Sequence, residues 1–508
     1  MTSVVLSTLN ARYIHASLGL RYLLANMGEL QAQTALAEFV INERPIDIVE
    51  RLLDKEPKVI GFGVYLWNVE QTTQVVALLK QIRPSVRIVL GGPEVSHEWW
   101  EQPIVALADY LITGAADVAF AKLCRRLLDD DLPSEKIIHA EPVDLSRLSL
   151  PYRFYSDDDI AHRVLYVEAS RGCPFKCEFC LSALDKTSVP FALKRFLDEM
   201  QDLYARGARR FKFVDRTFNL KIDTTLKILE FFLERLDEQL FLHFELVPDF
   251  LPEKLKAVIR KFPAGVLQFE IGIQSFNPQV QALISRKQNN VKTRENLVWL
   301  RTQSQVHLHT DLIIGLPGEP VESIAQGFNA LVELDPHEIQ VGILKRLRGT
   351  PIIRHTASYG IKYNPAAPYN VLCNDLVDFS AMQRLSRFAR YWDLIANSGR
   401  FNSTKPLILG DDPFGRFLRL SDWLFEVTGQ THRFALPRLF ELLYRGLMTL
   451  LEADGAEAQS KLWRDYQKSG LKGLPSFVSV RDTGEGGIPQ HNNAKLSGMQ
   501  FRQARHID

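Results

Sequence analysis

The chain has 508 residues, with 61 Lys and Arg against 60 Asp and Glu, 46% hydrophobic residues and 24% charged ones. That length allows about three domains, and the balanced charge argues against a strongly basic surface, so duplex nucleic acid is not expected as a partner. Five cysteines exclude a disulfide scaffold, and no run approaches the ~18 consecutive apolar residues that a transmembrane helix needs. The opening run Met1-Thr2-Ser3-Val4-Val5-Leu6 has no basic leader and reads as a strand. A cytoplasmic protein is expected.

Residues 1–140 alternate apolar, β-branched runs (4–7, 36–41, 59–64, 87–90 and 110–113) with amphipathic stretches such as 69–82 and 117–128. Continuous apolar strands separated by helices predict a parallel sheet covered on both faces, a doubly wound, Rossmann-like α/β domain. Ligands of such sheets bind beyond the C-terminal strand ends. Those ends carry Asn10, Tyr13, Trp67, Asn68, Gly91, Gly92 and Gly114. Residues 141–162 lose the periodicity and hold Pro142, Pro151 and Asp157-Asp158-Asp159, and read as a linker.

A second βα series occupies 163–345, with strands expected at 164–167, 211–214, 242–246, 267–273, 309–314 and 339–344. Six strands interleaved with helices predict a partial (β/α)6 barrel of the TIM type, whose chemistry lies on the loops after the strands. Beyond residue 346 the pattern is mainly α-helical to about 479, with helices near 375–395, 413–423 and 437–452. The final stretch, 480–508, is poor in large apolar residues and is expected to lack packed structure.

Three of the five cysteines fall within eight residues, as Cys173-Pro-Phe-Lys-Cys177-Glu-Phe-Cys180, directly after the first barrel strand. A structural zinc site would need a fourth protein ligand, and no other Cys or His lies within a few residues. A [4Fe–4S] cluster normally has four cysteine ligands, so three would leave one iron open to a chelating ligand. Cys124 and Cys373 read as bystanders.

CxxxCxxC at a barrel mouth resembles the signature of the radical SAM superfamily. The resemblance implies that Cys173, Cys177 and Cys180 hold a [4Fe–4S] cluster whose open iron binds S-adenosylmethionine (SAM), with Phe179 as the aromatic before the last cysteine. Asp311-Leu-Ile-Ile-Gly315-Leu-Pro-Gly318-Glu319 resembles the adenine-packing motif of the fifth strand. Glu270-Ile-Gly272-Ile-Gln274-Ser275, followed by Arg286, resembles the fourth-strand segment. By similarity to the oxygen-independent coproporphyrinogen oxidase branch, Glu245, Gln274, Arg286 and Asp311 would hold SAM, Arg286 at the methionine carboxylate and Asp311 at the ribose hydroxyls. Gly272, Ser275 and Gly315 complete that set. The usual Gly-Gly-Glu-type motif after the second strand is replaced by Asp215-Arg216-Thr217, which leaves contacts to the SAM amino group through Asp215 open.

A doubly wound domain ahead of such a barrel resembles the cobalamin-binding domain of B12-dependent radical SAM proteins, and the C-terminal part resembles the DUF4080 type. That resemblance implies cobalamin at Asn10, Tyr13, Trp67, Asn68, Gly91, Gly92 and Gly114. The cobalt-ligating DxHxxG motif is absent; His15, in Asn10-Ala-Arg-Tyr13-Ile-His15, reads as a cap or surface residue. A tRNA-type methylthiotransferase would need three more N-terminal cysteines, and only Cys124 is there. The basic turn Lys345-Arg-Leu-Arg348 reads either as an anion contact or as a solvated turn.

The implied activity is radical functionalisation of an unactivated position, by methyl transfer, with non-methylating oxidation, rearrangement or cyclisation, and a non-catalytic cobalamin or SAM sensor, as alternatives. Implied partners are a small-molecule or peptide substrate and a low-potential electron donor such as flavodoxin or ferredoxin.

Overall fold

The computed structural model describes residues 2–185, 187–478 and 501–506. The described residues form two compact units. The first comprises 1–216 with 345–353 and 364–370, and the second 217–344 with 354–363 and 371–508.

The first unit opens with the expected doubly wound sheet. Its six parallel strands are β1 (Val4–Asn10), β2 (Thr34–Val40), β3 (Val59–Gly63), β4 (Arg87–Gly91), β5 (Tyr110–Thr113) and β6 (Ile137–His139), in the order β2-β1-β3-β4-β5-β6. Every residue of β1 is buried, because helices cover both faces. One face packs Val5, Ile60, Ile88 and Leu111 with Val75 and Leu79, and the other packs Val4, Leu6, Val89 and Ile112 with Leu20 and Phe120. The chain reverses between β1 and β3, and the C-terminal strand ends around that switch form the open edge where a ligand can sit.

The segment 141–162 is ordered and packed, which its lack of periodicity did not announce. Tyr152 and Tyr155 are fully buried. Asp159, inside the capped helix Asp157–His162, binds Arg21 at 2.7 Å, and Arg21 also binds Glu38 at 2.8 Å. Arg21 lies 138 residues from Asp159, while Tyr152 and Tyr155 bond backbone around the strand that follows, at Glu168 and Tyr166, and neither kind of partner leaves a periodic pattern.

All six strands of the second series are present. In the first unit, Leu165–Val167 pairs in parallel with Arg210–Phe213. In the second, Phe241–Leu246, Leu267–Gln274, His307–Ile314 and Glu338–Ile343 pair in parallel in that order. Their side chains alternate sharply. Phe244, Phe269, Leu308 and Ile339 are buried on one face. On the opposite face the register aligns Glu245, Glu270, His309 and Glu338 in one row across four strands.

The C-terminal region is helical, as expected, with Phe379–Ile395, Pro413–Thr428, Leu436–Thr449 and Gly455–Lys468. Phe388, Trp392, Phe414 and Phe417 make an aromatic core against Phe328, whose ring lies 4.7 Å from that of Trp392. The stretch expected to be unstructured falls largely outside the described residues. The described part of it, 501–506, begins with a short helix, Phe501–Ala504. From that segment Arg502 pairs with Glu338 at 2.8 Å, and the Gln503 amide donates to Gln268 Oε1 at 2.7 Å. Among the described residues no helix is long and apolar enough to cross a membrane.

Candidate functional site

The cysteine loop belongs to the first unit. It leaves the strand Leu165–Val167 through Ser170–Arg171, which pairs antiparallel with Val189–Pro190. Gly172 then turns with φ +92°, where a Cβ would lie 2.1 Å from the Thr187 carbonyl oxygen, so only glycine fits. The Cys173 amide donates to Asp185 O at 3.3 Å and the Cys180 amide to Cys177 O at 3.1 Å. Cys173 and Cys177 are buried and Cys180 is half-buried. Burial pushes the Cys173 thiol up, and the neighbouring Cys180 and Cys177 thiols push it further against the pull of Arg216. Both other cysteines of the loop thus lie close enough to act on Cys173. Among the described residues no three His, Cys, Asp or Glu side chains converge on a single ion position; a cubane asks for a wider spread, one thiolate per iron. Phe179 stands half-buried beside Cys180.

Asp215 sits behind this loop. Its carboxylate accepts from the Ala169 amide at 2.9 Å and from the Ser170 hydroxyl at 2.5 Å. Burial pushes its carboxyl up to about 7 against those two hydrogen bonds. Asp215 thus fixes the chain entering the cysteine loop, a role that its place in the sequence did not suggest.

The second unit gathers several of the other expected residues at the ends of its strands. The register shifts between Gly272 and Gln274, and Gln274 takes φ +67°, a left-handed conformation that costs a non-glycine residue about 1–3 kcal/mol. Arg286 donates to the Gly272 carbonyl oxygen, and Asp311 lies opposite Gly272 in the neighbouring strand. Glu245 joins through the row that includes Glu270. Gln274 Oε1 is buried without a hydrogen-bond partner, a state that costs about 1–3 kcal/mol unless a donor arrives. A strained backbone carrying an orphaned acceptor beside a guanidinium fits a ligand with both an ammonium and a carboxylate. Gly315 is buried at the end of the next strand. Ser275 is used internally: its hydroxyl donates to Glu319, whose carboxyl burial pushes up to about 7.

His309 went unnoticed in the sequence. Its Nε2 lies 3.2 Å from Asp311 Oδ1 and its Nδ1 3.7 Å from Glu338 Oε2. Burial opposes its charge, but Asp311, Glu338 and Glu270 outweigh that and lift it to about 9. In an unfolded chain the imidazole would titrate near 6.5. The stabilisation from charged His309 is therefore complete below about pH 6.5 and is lost as the pH rises through about 9. Denaturation midpoints measured from pH 6 to 9.5 should fall less steeply for His309→Gln than for the parent, with a difference of up to about 3 kcal/mol. The signal that would have found it is the alternation of His307, His309 and Asp311 on a strand whose other face is apolar.

The N-terminal sheet carries a cavity of about 230 Å³ over its C-terminal strand ends. Gly63, Tyr65, Gly91, Gly92, Gly114 and Arg171 are among its walls. Three of the seven residues expected there, Gly91, Gly92 and Gly114, line it. Gly92 has φ +109°, and a Cβ would lie 2.4 Å from the backbone oxygen of Val64. Gly92→Ala should therefore move that wall and cost about 1–3 kcal/mol in backbone strain, read as a lower thermal denaturation midpoint.

The other four serve different ends. Asn68 is fully buried, its amide donating to Thr8 Oγ1, Leu9 O and Gly63 O, so it ties the strand ends together. Asn10 donates to Glu38 at 3.0 Å, and Tyr13 reaches Asp158 at 2.7 Å. Trp67 is 48% exposed and stacks on Tyr65 at 4.5 Å. His15 Nδ1 lies 2.7 Å from the Tyr166 hydroxyl, a link to the next strand rather than a cap.

Of the remaining cysteines, Cys124 is a core thiol pushed up by burial to about 12, and Cys373 ends the short strand Val371–Cys373. The basic turn is not a solvated loop, because its arginines pair with carboxylates of the chain itself. Arg346 binds Glu98 at 2.6 Å, and buried Arg348 binds Glu101 at 2.9 Å and Glu94 at 3.3 Å.

Comparison with known proteins matches three stretches of the chain to families. A B12 binding domain matches residues 4–124, the radical SAM superfamily 167–330, and DUF4080, a protein family of unknown function, 357–491. The cobalamin-dependent radical SAM methyltransferase TokK of Streptomyces tokunonensis is 26% identical over 62% of this chain and 51% of its own length. An uncharacterized methyltransferase of Pyrococcus horikoshii is 23% identical over 66% of this chain and 76% of its own. The chain thus spans about half of TokK. The fold is similar to that of the radical S-adenosylmethionine methyltransferase TsrM of Kitasatospora setae, solved with tryptophan and aza-SAM, at a TM-score of 0.57 and 16% identity, covering 75% of this chain and 81% of TsrM. With these domains in this N- to C-terminal order, the chain is a B12-binding-domain-containing radical SAM protein with a DUF4080-type C-terminal region.

Proposed function

We propose that this protein is a cytoplasmic, cobalamin-dependent radical SAM enzyme that methylates an unactivated position of a small-molecule or peptide substrate. The observation that carries the reading is the cysteine loop, turned at Gly172 and tied through Arg171 to a sheet whose glycine-walled cavity opens at its C-terminal strand ends. When bound, a [4Fe–4S] cluster supplies the electron that cleaves SAM to a radical, and cobalamin carries the methyl group.

Cys173, Cys177 and Cys180 would hold three irons, and Phe179 would shield the open side. Asp215 holds the loop in register from behind. Arg286 would take the SAM carboxylate through its planar fork, Gln274 Oε1 would accept from the amino group, and Asp311 would accept from ribose hydroxyls. Glu245 would add acceptor charge on the same face, Gly272 and Gly315 would let backbone approach the ligand, and Ser275 would hold the strand end through Glu319. Gly91, Gly92 and Gly114 would let a flat macrocycle lie against backbone, and Asn10, Tyr13, Trp67 and Asn68 would support the rim. A flavodoxin- or ferredoxin-type donor would supply electrons.

Anaerobic reconstitution with iron, sulfide and hydroxocobalamin, followed by turnover with methyl-labelled SAM, tests this. Label should appear on protein-bound cobalamin, with 5′-deoxyadenosine formed under strong reduction. 5′-Deoxyadenosine without label transfer would favour a non-methylating radical enzyme; neither product would favour a sensor.

A further inference from the structure

Arg171 lies two residues before Cys173 and also lines the cavity of the N-terminal sheet. Its guanidinium faces two elements at once. The Nε and Nη2 edge takes Glu168, at the end of the strand leading into the cysteine loop, at 3.1 and 3.0 Å. Nη1 takes Asp117 at 3.1 Å, on the turn that follows the cavity-lining Gly114. Both carboxylates are buried, and the guanidinium lies 4.9 Å above the ring of Tyr22, itself a cavity wall. A planar fork held on both edges and stacked on a ring has one orientation.

From Arg171 to the first cysteine the chain has little slack. Arg171 is paired to Val189, and Gly172 has no room beside Thr187. The Cys173 amide is held by Asp185. The guanidinium and the Cys173 backbone are thus joined by one short, restrained segment, and an occupant of the cavity that packs on Asp117 and Tyr22 bears on the partners that hold the guanidinium.

We propose that Arg171 is a positioning residue that couples the two cofactor sites, so that filling the cavity with cobalamin tightens the cysteine loop around its cluster. This rests on the reading above that the cavity takes cobalamin and the cysteines a cluster. Coupling between two equilibria is reciprocal, so the cluster also tightens cobalamin binding.

The test is the anaerobic rate of iron release from reconstituted protein to a ferrous chelator, followed by loss of cluster absorbance, with and without saturating hydroxocobalamin. In the parent, hydroxocobalamin should slow release at least about fivefold, the low end of common couplings. In Arg171→Lys, which keeps charge but loses the fork, and in Asp117→Asn, which keeps size but loses charge, the ratio should fall below about two. A merely structural role would change the absolute rates and leave the ratio alone. Protection of equal size in both variants overturns the proposal, as does absence of protection in a parent that binds hydroxocobalamin. A parent that takes up no hydroxocobalamin overturns the cobalamin reading itself and this inference with it.

Discussion

Cys177→Ala is expected to reduce SAM cleavage to background. Cys177 is buried in the middle of the loop, and its carbonyl oxygen already anchors the Cys180 amide. Removing its sulfur changes little volume and no backbone hydrogen bond, so the protein should still fold, with a circular dichroism spectrum like that of the parent. What disappears is one of three thiolates, and two cannot hold three irons of a cubane. Reconstituted Cys177→Ala should lack the broad cluster absorbance and make no 5′-deoxyadenosine above the no-enzyme control. Parent-level cleavage in this variant would remove the radical SAM assignment of the loop.

The second large effect is on stability. Arg348→Ala should destabilise the first unit by about 3–5 kcal/mol, because it strips the partner from a buried charge. Glu94 is 4% exposed and is left facing only the hydroxyl of Tyr369 and the amide of Gln102. In a unit of about 230 residues, a loss of that size lowers the thermal midpoint by about 10 °C. Adding Glu94→Gln should restore part of the loss, since it removes the stranded charge. A shift below about 2 °C for Arg348→Ala would show that the cluster is solvated and contributes little.

That cluster also marks where sequence reading stops. The strands were legible because burial on both faces leaves continuous β-branched runs, and the cysteine loop was legible because its ligands are local. Arg348 and Glu94 are 254 residues apart, and nothing near either names the other. Tyr152 and Tyr155 have near partners, at Glu168 and Tyr166, yet they give the connecting segment a core without giving it a period. Asp215 was recognised as a site residue but not for its task, since its hydrogen bonds run to Ala169 and Ser170 behind the loop. Gln274 was named from its motif, but its left-handed backbone and orphaned oxygen are properties of the bulge, which only strand pairing creates. His309 needed the register that sets it between Asp311 and Glu338. Local periodicity gives elements; ionic partners across elements have to be seen in space.

The packing of residues 141–162 changes how this molecule would be cut. A proline-bearing, aperiodic stretch between two domains is ordinarily where a protease enters first. Here two fully buried tyrosines and the Arg21–Asp159 pair close it. Limited proteolysis should leave it whole, and an N-terminal fragment ended at residue 140 would bare the apolar core face that Phe154 packs against and leave Arg21 with one carboxylate instead of two. A fragment meant to keep the cobalamin-domain fold soluble has to carry this stretch with it.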